Sequence, residues 1–145
     1  MSNIKQIIVM RTHYPDGKGG ERKVRTGKMI AQGAHASMGC LLKNKGLWHG
    51  YNNYADSPVD ILPLNFTHDE RSWIDGKFTK IVVGVRTEEE LLSLHKKCEE
   101  AGILCCLIQD AGDTEFGGVP THTALGIGPA KSEDVDIITG SLPLL

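Results

Sequence analysis

The amino-acid sequence predicts an α/β layer fold: one mostly parallel sheet with helices on both faces. Two observations carry this reading. Short apolar runs bounded by polar residues, IKQIIVMR near the start and ILCCLI in the second half, have the character of buried strands. Between them lie segments of helical period that open on a capping residue and close on glycine. The resulting order is β, α, β, α, β, β, α.

Taken in order, Ile4–Arg11 reads as the first strand. Residues 13–26 (HYPDGKGGERKVRT) read as a loop, since Pro15, Asp16, Gly17, Gly19 and Gly20 are turn formers. Lys18, Arg22, Lys23 and Arg25 are offset there only by Asp16 and Glu21, so the loop is locally basic. From residue 27 to about 42 the pattern is helical, with Thr26 as the expected N-cap. Ile30, Ala34, Met38 and Leu41 share a face at helical spacing. The run of small residues Ala31, Gly33, Ala34, Ala36, Ser37 and Gly39 predicts that something packs very close to this backbone.

Residues 44–76 hold Trp48, Tyr51, Tyr54, Phe66 and Trp73, with Pro58 and Pro63 and no sustained period. They read as an irregular insertion with short helical pieces. Residues 78–86 (FTKIVVGVR) read as a strand. Thr87 with Glu90 predicts a capping box that opens a helix whose Leu91, Leu94, Cys98 and Ala101 share a face, and Gly102 closes it. Residues 103–108 read as another buried strand, 109–120 as a loop and 121–127 as a fourth strand. Ser132 is the expected cap of a last helix, Glu133 and Asp134 sit favourably near its positive end, and Gly140 stops it.

A chain of 145 residues fits one domain, residues 1–145, with a sizeable core. No run approaches the roughly 18 to 20 apolar residues of a membrane span, so no membrane partner is expected. Met1 to Lys5 lead directly into a strand without the basic start and long apolar stretch of a signal peptide, and a cytoplasmic location is the expectation. Cys40, Cys98, Cys105 and Cys106 form no C-x-x-C pair and lie in apolar or periodic stretches, where reduced thiols serve as small hydrophobes. The net charge of −2 excludes a generally basic nucleic-acid coat but not a local basic patch.

In sheets of this kind ligands sit beyond the carboxyl ends of strands. Two places there can carry chemistry. At Thr26-Gly27-Lys28 a helix N-terminus offers free N–H groups and a positive dipole end, and Lys28 adds a full charge, which suits a phosphate or a developing oxyanion. A solvated lysine in a first turn is the plain alternative. A nucleotide P-loop is excluded, because Arg22 stands where its first Gly is needed and Met29 where Ser or Thr should bind magnesium. The second place is Gln109-Asp110-Ala111-Gly112, where the carboxylate could orient a lysine or a water, or serve only as an Asx-turn residue.

His35, seven residues after Lys28, can share its helix face and could move protons, although a helix-packing role is the commoner one. The six histidines show no metal-ligand spacing, so no metal and no cofactor are expected. The cysteines lack the setting of a nucleophile, and no G-x-S-x-G elbow is present.

Several segments resemble a known family. GKMIAQGAHA at 27–36 is similar to the G-K-x-A-A-Q-x-x-H-A helix start of the type II peptidyl-tRNA hydrolases. LIQDAG at 107–112 matches that family's L-I-Q-D-A-G, with Thr114 where the family has a threonine. TALGIGP at 123–129 is similar to its T-V-L-[AG]-I-G-P, and TGSL at 139–142 to its closing T-G-x-L. The resemblance implies a three-layer α/β/α fold around a mixed, mostly parallel four-stranded sheet. It implies hydrolysis of the ester of peptidyl-tRNA, with tRNA as partner, and is compatible with a homodimer. By matched position it places Lys28, Asp110, Thr114, Thr123 and His35 in the catalytic set, with Gln32 beside the substrate. Lys18, Arg22, Lys23 and Arg25 would then lie along the tRNA backbone. Asp113 and Pro143 depart from the pattern, standing where the family carries basic residues. A non-catalytic RNA- or protein-binding relative, or a hydrolase of another nucleotide-linked ester, are the competing readings.

Overall fold

The computed structural model describes residues 3–43, 45, 64–112 and 116–145. Most of the expected insertion, together with Asp113 and Thr114, lies outside the described residues. The chain runs β1 (Ile4–Arg11), β2 (Tyr14–Pro15), β3 (Glu21–Arg22), α1 (Thr26–Lys43), α2 (His68–Asp75), β4 (Lys80–Val85), α3 (Glu88–Glu100), β5 (Cys105–Asp110), β6 (Thr121–Lys131) and α4 (Ser132–Thr139). Four strands form one sheet in the order β4-β1-β6-β5. β1 pairs with β4 in parallel, while β6 is antiparallel to both β1 and β5. Three strands therefore run the same way and β6 runs against them, giving the mixed sheet with helices on both faces that was expected.

Alternation along β1 divides the core. Ile7 and Val9 face α3 and α4, packing with Val83, Val85, Leu91, Leu94, Cys98, Leu125, Ile127 and Val135. Ile8 and Met10 face α1, packing with Ala36, Cys40, Cys106, Ile108 and Ala124. The close approach expected from the small residues of α1 is made by β6. A Cβ built on Gly126 would meet the Ala36 carbonyl oxygen at 2.3 Å and Cys40 Sγ at 2.7 Å. Ser37 has a purpose of its own. Its hydroxyl donates to Gln6 Oε1 at 2.6 Å, and the Gln6 amide donates to the Ser37 and Gly128 carbonyls, so a fully buried glutamine is satisfied.

The buried face of α1 differs from the apolar stripe read in the sequence. Gln32, Ala36, Gly39 and Cys40 are buried, whereas Ile30 is 68% and Met38 55% exposed. The reason is steric: only the small face fits against Gly126. The outward stripe lines an apolar groove of about 720 Å³ with Met29, Phe78, Val82 and Leu145.

Element ends also differ in instructive ways. The Arg25 carbonyl accepts the first helical bond of α1 from Met29 N, so Thr26 lies inside the helix and is not its cap. Thr87 caps α3 by accepting from Glu90 N, but the Glu90 carboxylate accepts from Arg86 N and the reciprocal half of the box is not formed. The complete box belongs to α2, where Thr67 Oγ1 accepts from Glu70 N and Glu70 Oε1 accepts from Thr67 N. Ser132 does not cap α4. Lys131 occupies that position, and the buried Ser132 hydroxyl makes no hydrogen bond in the structure. Gly102 does close α3 in a Schellman arrangement, with Ile103 N donating to Cys98 O and Gly102 N to Glu99 O. That turn uses Ile103, so β5 begins at Cys105.

Beyond α1, the Lys45 ammonium meets Glu70 at 2.6 Å, both side chains almost fully buried. Trp73 of α2 donates its indole N–H to Thr79 O at 2.7 Å. The free edge of β4 is covered by the tail: Gly84 N donates to Pro143 O and Leu145 N to Val82 O. Cys40, Cys98 and Cys106 are buried, Cys105 partly so, and all four are free thiols. Burial pushes the Cys106 thiol up to about 11.

Candidate active site

β1, β4 and β5 end on the same side of the molecule, and α1 begins there. β5 extends two residues past the sequence reading. Gln109 and Asp110 pair with His122 and Thr121, which makes Asp110 the last residue of a strand and fixes its backbone. One carboxylate oxygen of Asp110, Oδ2, accepts from Gly112 N at 2.8 Å, closing a turn in which Gly112 has φ +87°. A Cβ at Gly112 would lie 2.3 Å from the Val119 carbonyl oxygen, so glycine is required there on two counts. The other oxygen, Oδ1, points to α1. It accepts from Lys28 Nζ at 2.8 Å and from Gln32 Nε2 at 3.0 Å. The turn role and the charge role read in the sequence are thus both present, one on each oxygen.

Thr123 completes the group through a β-bulge. Ile108 pairs with Ala124 but Gln109 pairs with His122, so Thr123 is an extra residue between two consecutive partners. Ala124 packs toward α1, and plain alternation would send Thr123 to the opposite face. The bulge re-aims it, and its hydroxyl donates to Gln32 Oε1 at 2.6 Å. Thr123 is 1% and Gln32 3% exposed, whereas the Lys28 and Asp110 side chains each keep 13% of their surface in solvent. The network therefore runs from a fully buried hydroxyl to a largely buried charge pair that keeps some contact with solvent. Burial pushes the Asp110 carboxyl up, but hydrogen bonds from Lys28, Gly112 N–H and Gln32 outweigh it and hold the group below the usual carboxylate range.

Lys28 and Gln32, four residues apart on α1, reach the same oxygen. His35 stands seven residues beyond Lys28, about 10 Å along the helix axis. Its side chain is exposed, and it is not among the groups gathered at Asp110. Thr114 lies outside the described residues.

The basic loop contains a two-stranded hairpin, β2 with β3. Asp16 organises its tip by accepting from Lys18 N at 2.7 Å and Gly20 N at 2.9 Å. Glu21 ties it to the end of β4 through Arg86 at 3.2 Å. Lys18, Lys23 and Arg25 are exposed. Arg22 approaches the site, its guanidinium carbon 5.5 Å from the Phe116 ring centroid. Nothing in the sequence alone singles out Phe116 or Tyr14. Their only signal was a lone aromatic in a glycine-rich loop and another beside a cluster of cations.

Among the described residues no group of three or more His, Cys, Asp or Glu side chains could hold a metal ion. Nor, among them, is any helix long and apolar enough to cross a membrane. The arrangement offers a lysine held by an ionised carboxylate at a helix N-terminus, a setting suited to an oxygen that gains negative charge.

A family model described as "Peptidyl-tRNA hydrolase PTH2" matches residues 4–145. The chain is 36% identical over 141 residues to a peptidyl-tRNA hydrolase of Methanopyrus kandleri, covering 97% of each chain. It is 34% identical over 142 residues to that of Methanocaldococcus jannaschii, covering 98% of this chain and all of the other. It is 37% identical over 142 residues to that of Halobacterium salinarum, covering 97% and 99%.

Proposed function

The chain belongs to the PTH2 family of peptidyl-tRNA hydrolases, and on that premise we propose that it cleaves the ester joining a peptide to the terminal ribose of tRNA, using Lys28 and Asp110. The observation that carries this assignment is the 2.8 Å contact between Lys28 Nζ and Asp110 Oδ1 at the start of α1. In the reaction a water oxygen bonds to the ester carbonyl carbon, and negative charge builds on the carbonyl oxygen. The bond from carbon to the ribose oxygen then breaks, leaving the peptide as a carboxylic acid and the tRNA with a free hydroxyl.

Lys28, with the first N–H groups of α1, stabilises that oxyanion. Asp110 acts by holding the ammonium in place. A carboxyl kept below its ordinary pKa is a weak base at neutral pH, so its role is electrostatic and positional. Gln32 and Thr123 fix the orientation of the carboxylate from behind. Thr114 is assigned to the same set by its place after the Asp110 turn, as a hydrogen-bonding partner of water or substrate. His35, exposed on the outer flank of α1, is assigned to substrate contact. Lys18, Arg22, Lys23 and Arg25 take tRNA phosphates, which gives affinity that falls with salt and carries no sequence preference.

The test is release of free tRNA from N-acetylated aminoacyl-tRNA by the wild type, beside Lys28→Ala and Asp110→Ala. Turnover in the wild type that is lost in both folded variants supports the assignment. A folded wild type without turnover would assign the chain to a binding role or another ester. The homodimer reading is supported by the outward apolar groove between Ile30, Met38, Phe78 and Val82, which a second copy would cover. Light scattering should then give twice the chain mass for the wild type and the single mass for Met38→Asp; a monomeric wild type would remove that reading.

A further inference from the structure

Beside the Lys28–Asp110 pair lies an aromatic cluster that the hydrolytic network does not use. The Phe116 ring centroid is 5.7 Å from Lys28 Nζ and 5.5 Å from the Arg22 guanidinium carbon. Tyr14 packs against it, with ring centroids 4.9 Å apart and planes tilted by 44°. Tyr14 is itself fixed: it is 3% exposed, the Arg11 guanidinium lies 4.4 Å over its ring, and its hydroxyl donates to Arg11 O. Phe116 therefore rests on a rigid support while keeping part of its own surface in solvent.

An aromatic ring on a firm base, flanked by cations, is the arrangement that holds unpaired nucleotides. Stacking binds any base, and the cations take the backbone. The acceptor end of a tRNA is single-stranded, and the scissile ester sits on the ribose of its last nucleoside, an adenosine. With the ester carbonyl at Lys28, the adenine of that nucleoside lies one ribose away, and the Phe116 ring lies at that reach. Resting on the peptidyl-tRNA hydrolase reading, we propose that Phe116 is the platform on which the 3′-terminal adenine of the tRNA stacks, with Arg22 facing the phosphate on its 5′ side. The cluster orients the leaving group, and the ribose it holds presents its ester to Lys28 in one pose.

Initial rates on N-acetylated aminoacyl-tRNA test this with wild type, Phe116→Leu and Phe116→Trp. Phe116→Leu keeps an apolar side chain of similar size but no ring face, and should raise KM about 10- to 100-fold with a smaller change in kcat. Phe116→Trp should return KM to near the wild-type value, a rescue that a merely space-filling role would not give. Adenosine 5′-monophosphate should compete with substrate better than ribose 5-phosphate, and that difference should vanish in Phe116→Leu. Unchanged KM in Phe116→Leu, or equal inhibition of the wild type by the two probes, overturns the proposal while leaving the hydrolase reading intact. Should Phe116→Leu fail to fold, the two-probe comparison on the wild type decides alone. Absence of turnover by the wild type removes the hydrolase reading and this inference with it.

Discussion

Gln32 and Asp110 lie 78 positions apart in sequence and 3.0 Å apart in the folded chain, joined by the Gln32 amide N–H. The other end of the same amide accepts from Thr123, so the orientation of the group is fixed by both neighbours. Each donor in the series faces an acceptor: hydroxyl to amide oxygen, amide nitrogen to carboxylate, with the ammonium on the same carboxylate oxygen. Such a chain of hydrogen bonds holds the Asp110 carboxylate in a single pose.

Thr123 and Gln32 should therefore behave as one unit. Thr123→Val and Gln32→Met should each lower kcat/KM, and the double variant should lose less than the product of the two. A coupling of about 0.5–3 kcal/mol is expected from a thermodynamic cycle on activation free energies. Strict additivity would mean that the two side chains act separately.

The Lys28–Asp110 pair sets an acid limit. Asp110 has a folded pKa below its unfolded value of about 3.9. Its contribution to stability is therefore fully present above the unfolded value and is lost as pH falls through the folded one. A carboxyl titration followed by NMR should show Asp110 ionised throughout the neutral and mildly acidic range. In Lys28→Met its pKa should move upward, since the largest favourable partner is gone. No movement would locate the shift in Gly112 N–H and Gln32 instead.

Replacement of Lys28 by alanine should reduce kcat about 100- to 1000-fold if it is the chief oxyanion partner. Because its side chain is only 13% exposed and pairs with Asp110, the same change should also lower the thermal midpoint, but by far less than the loss in rate would require if it came from unfolding. Paired rate and melting measurements separate a chemical loss from a folding one.

Gly126→Ala places a methyl 2.3 Å from the Ala36 carbonyl oxygen, so either α1 or β6 must shift. Destabilisation of about 1–3 kcal/mol is expected by denaturant titration. Activity should fall further than stability, because α1 carries Lys28 and Gln32 and its displacement moves both from Asp110. Gly27→Ala meets no atom within 4 Å and serves as the control, with stability unchanged or slightly improved.

Lys45 and Glu70 form a pair whose side chains are 8% and 2% exposed. Lys45→Met leaves a buried carboxyl without its cation and should cost about 3–5 kcal/mol. Adding Glu70→Gln should recover a substantial part of it, and a double variant no better than the single would show that the loss is one of packing.

What the sequence disclosed follows physical lines. Strands 4–11 and 121 onward were visible because apolar runs must be buried, and helix α3 because Thr87 and Gly102 mark its ends. Lys28 stands out as a charge at a helix N-terminus and Asp110 as one at a strand end. The true start of α1 escaped notice because Arg25 contributes its backbone carbonyl, which any residue could supply. Its buried face was misread because proximity to Gly126 selected small side chains over large apolar ones, a relation between distant residues that periodicity cannot register. The last strand runs to Lys131, past the 121–127 expected from the sequence, because a second irregularity between Lys5 and Ile7 restores pairing at Ala130 and Lys131. Phe116 lay in a loop without period, where only the folded chain brings it to Lys28.

The extra residue at Thr123 gives β6 something like a shifted reading frame. On one side of it side chains alternate in one phase, and on the other side in the opposite phase. Deleting His122 would restore a single phase and leave every strand pairing and both core clusters in place. Thr123 would then inherit the position of His122, whose ring lies 3.7 Å from Glu88 on the α3 side. The hydroxyl would turn away from Gln32 although neither residue had been replaced. A chain altered in this way would keep its sheet and lose the Thr123–Gln32 hydrogen bond behind Asp110, so the spacing along β6, and not only the identity of its residues, sets the geometry of this network.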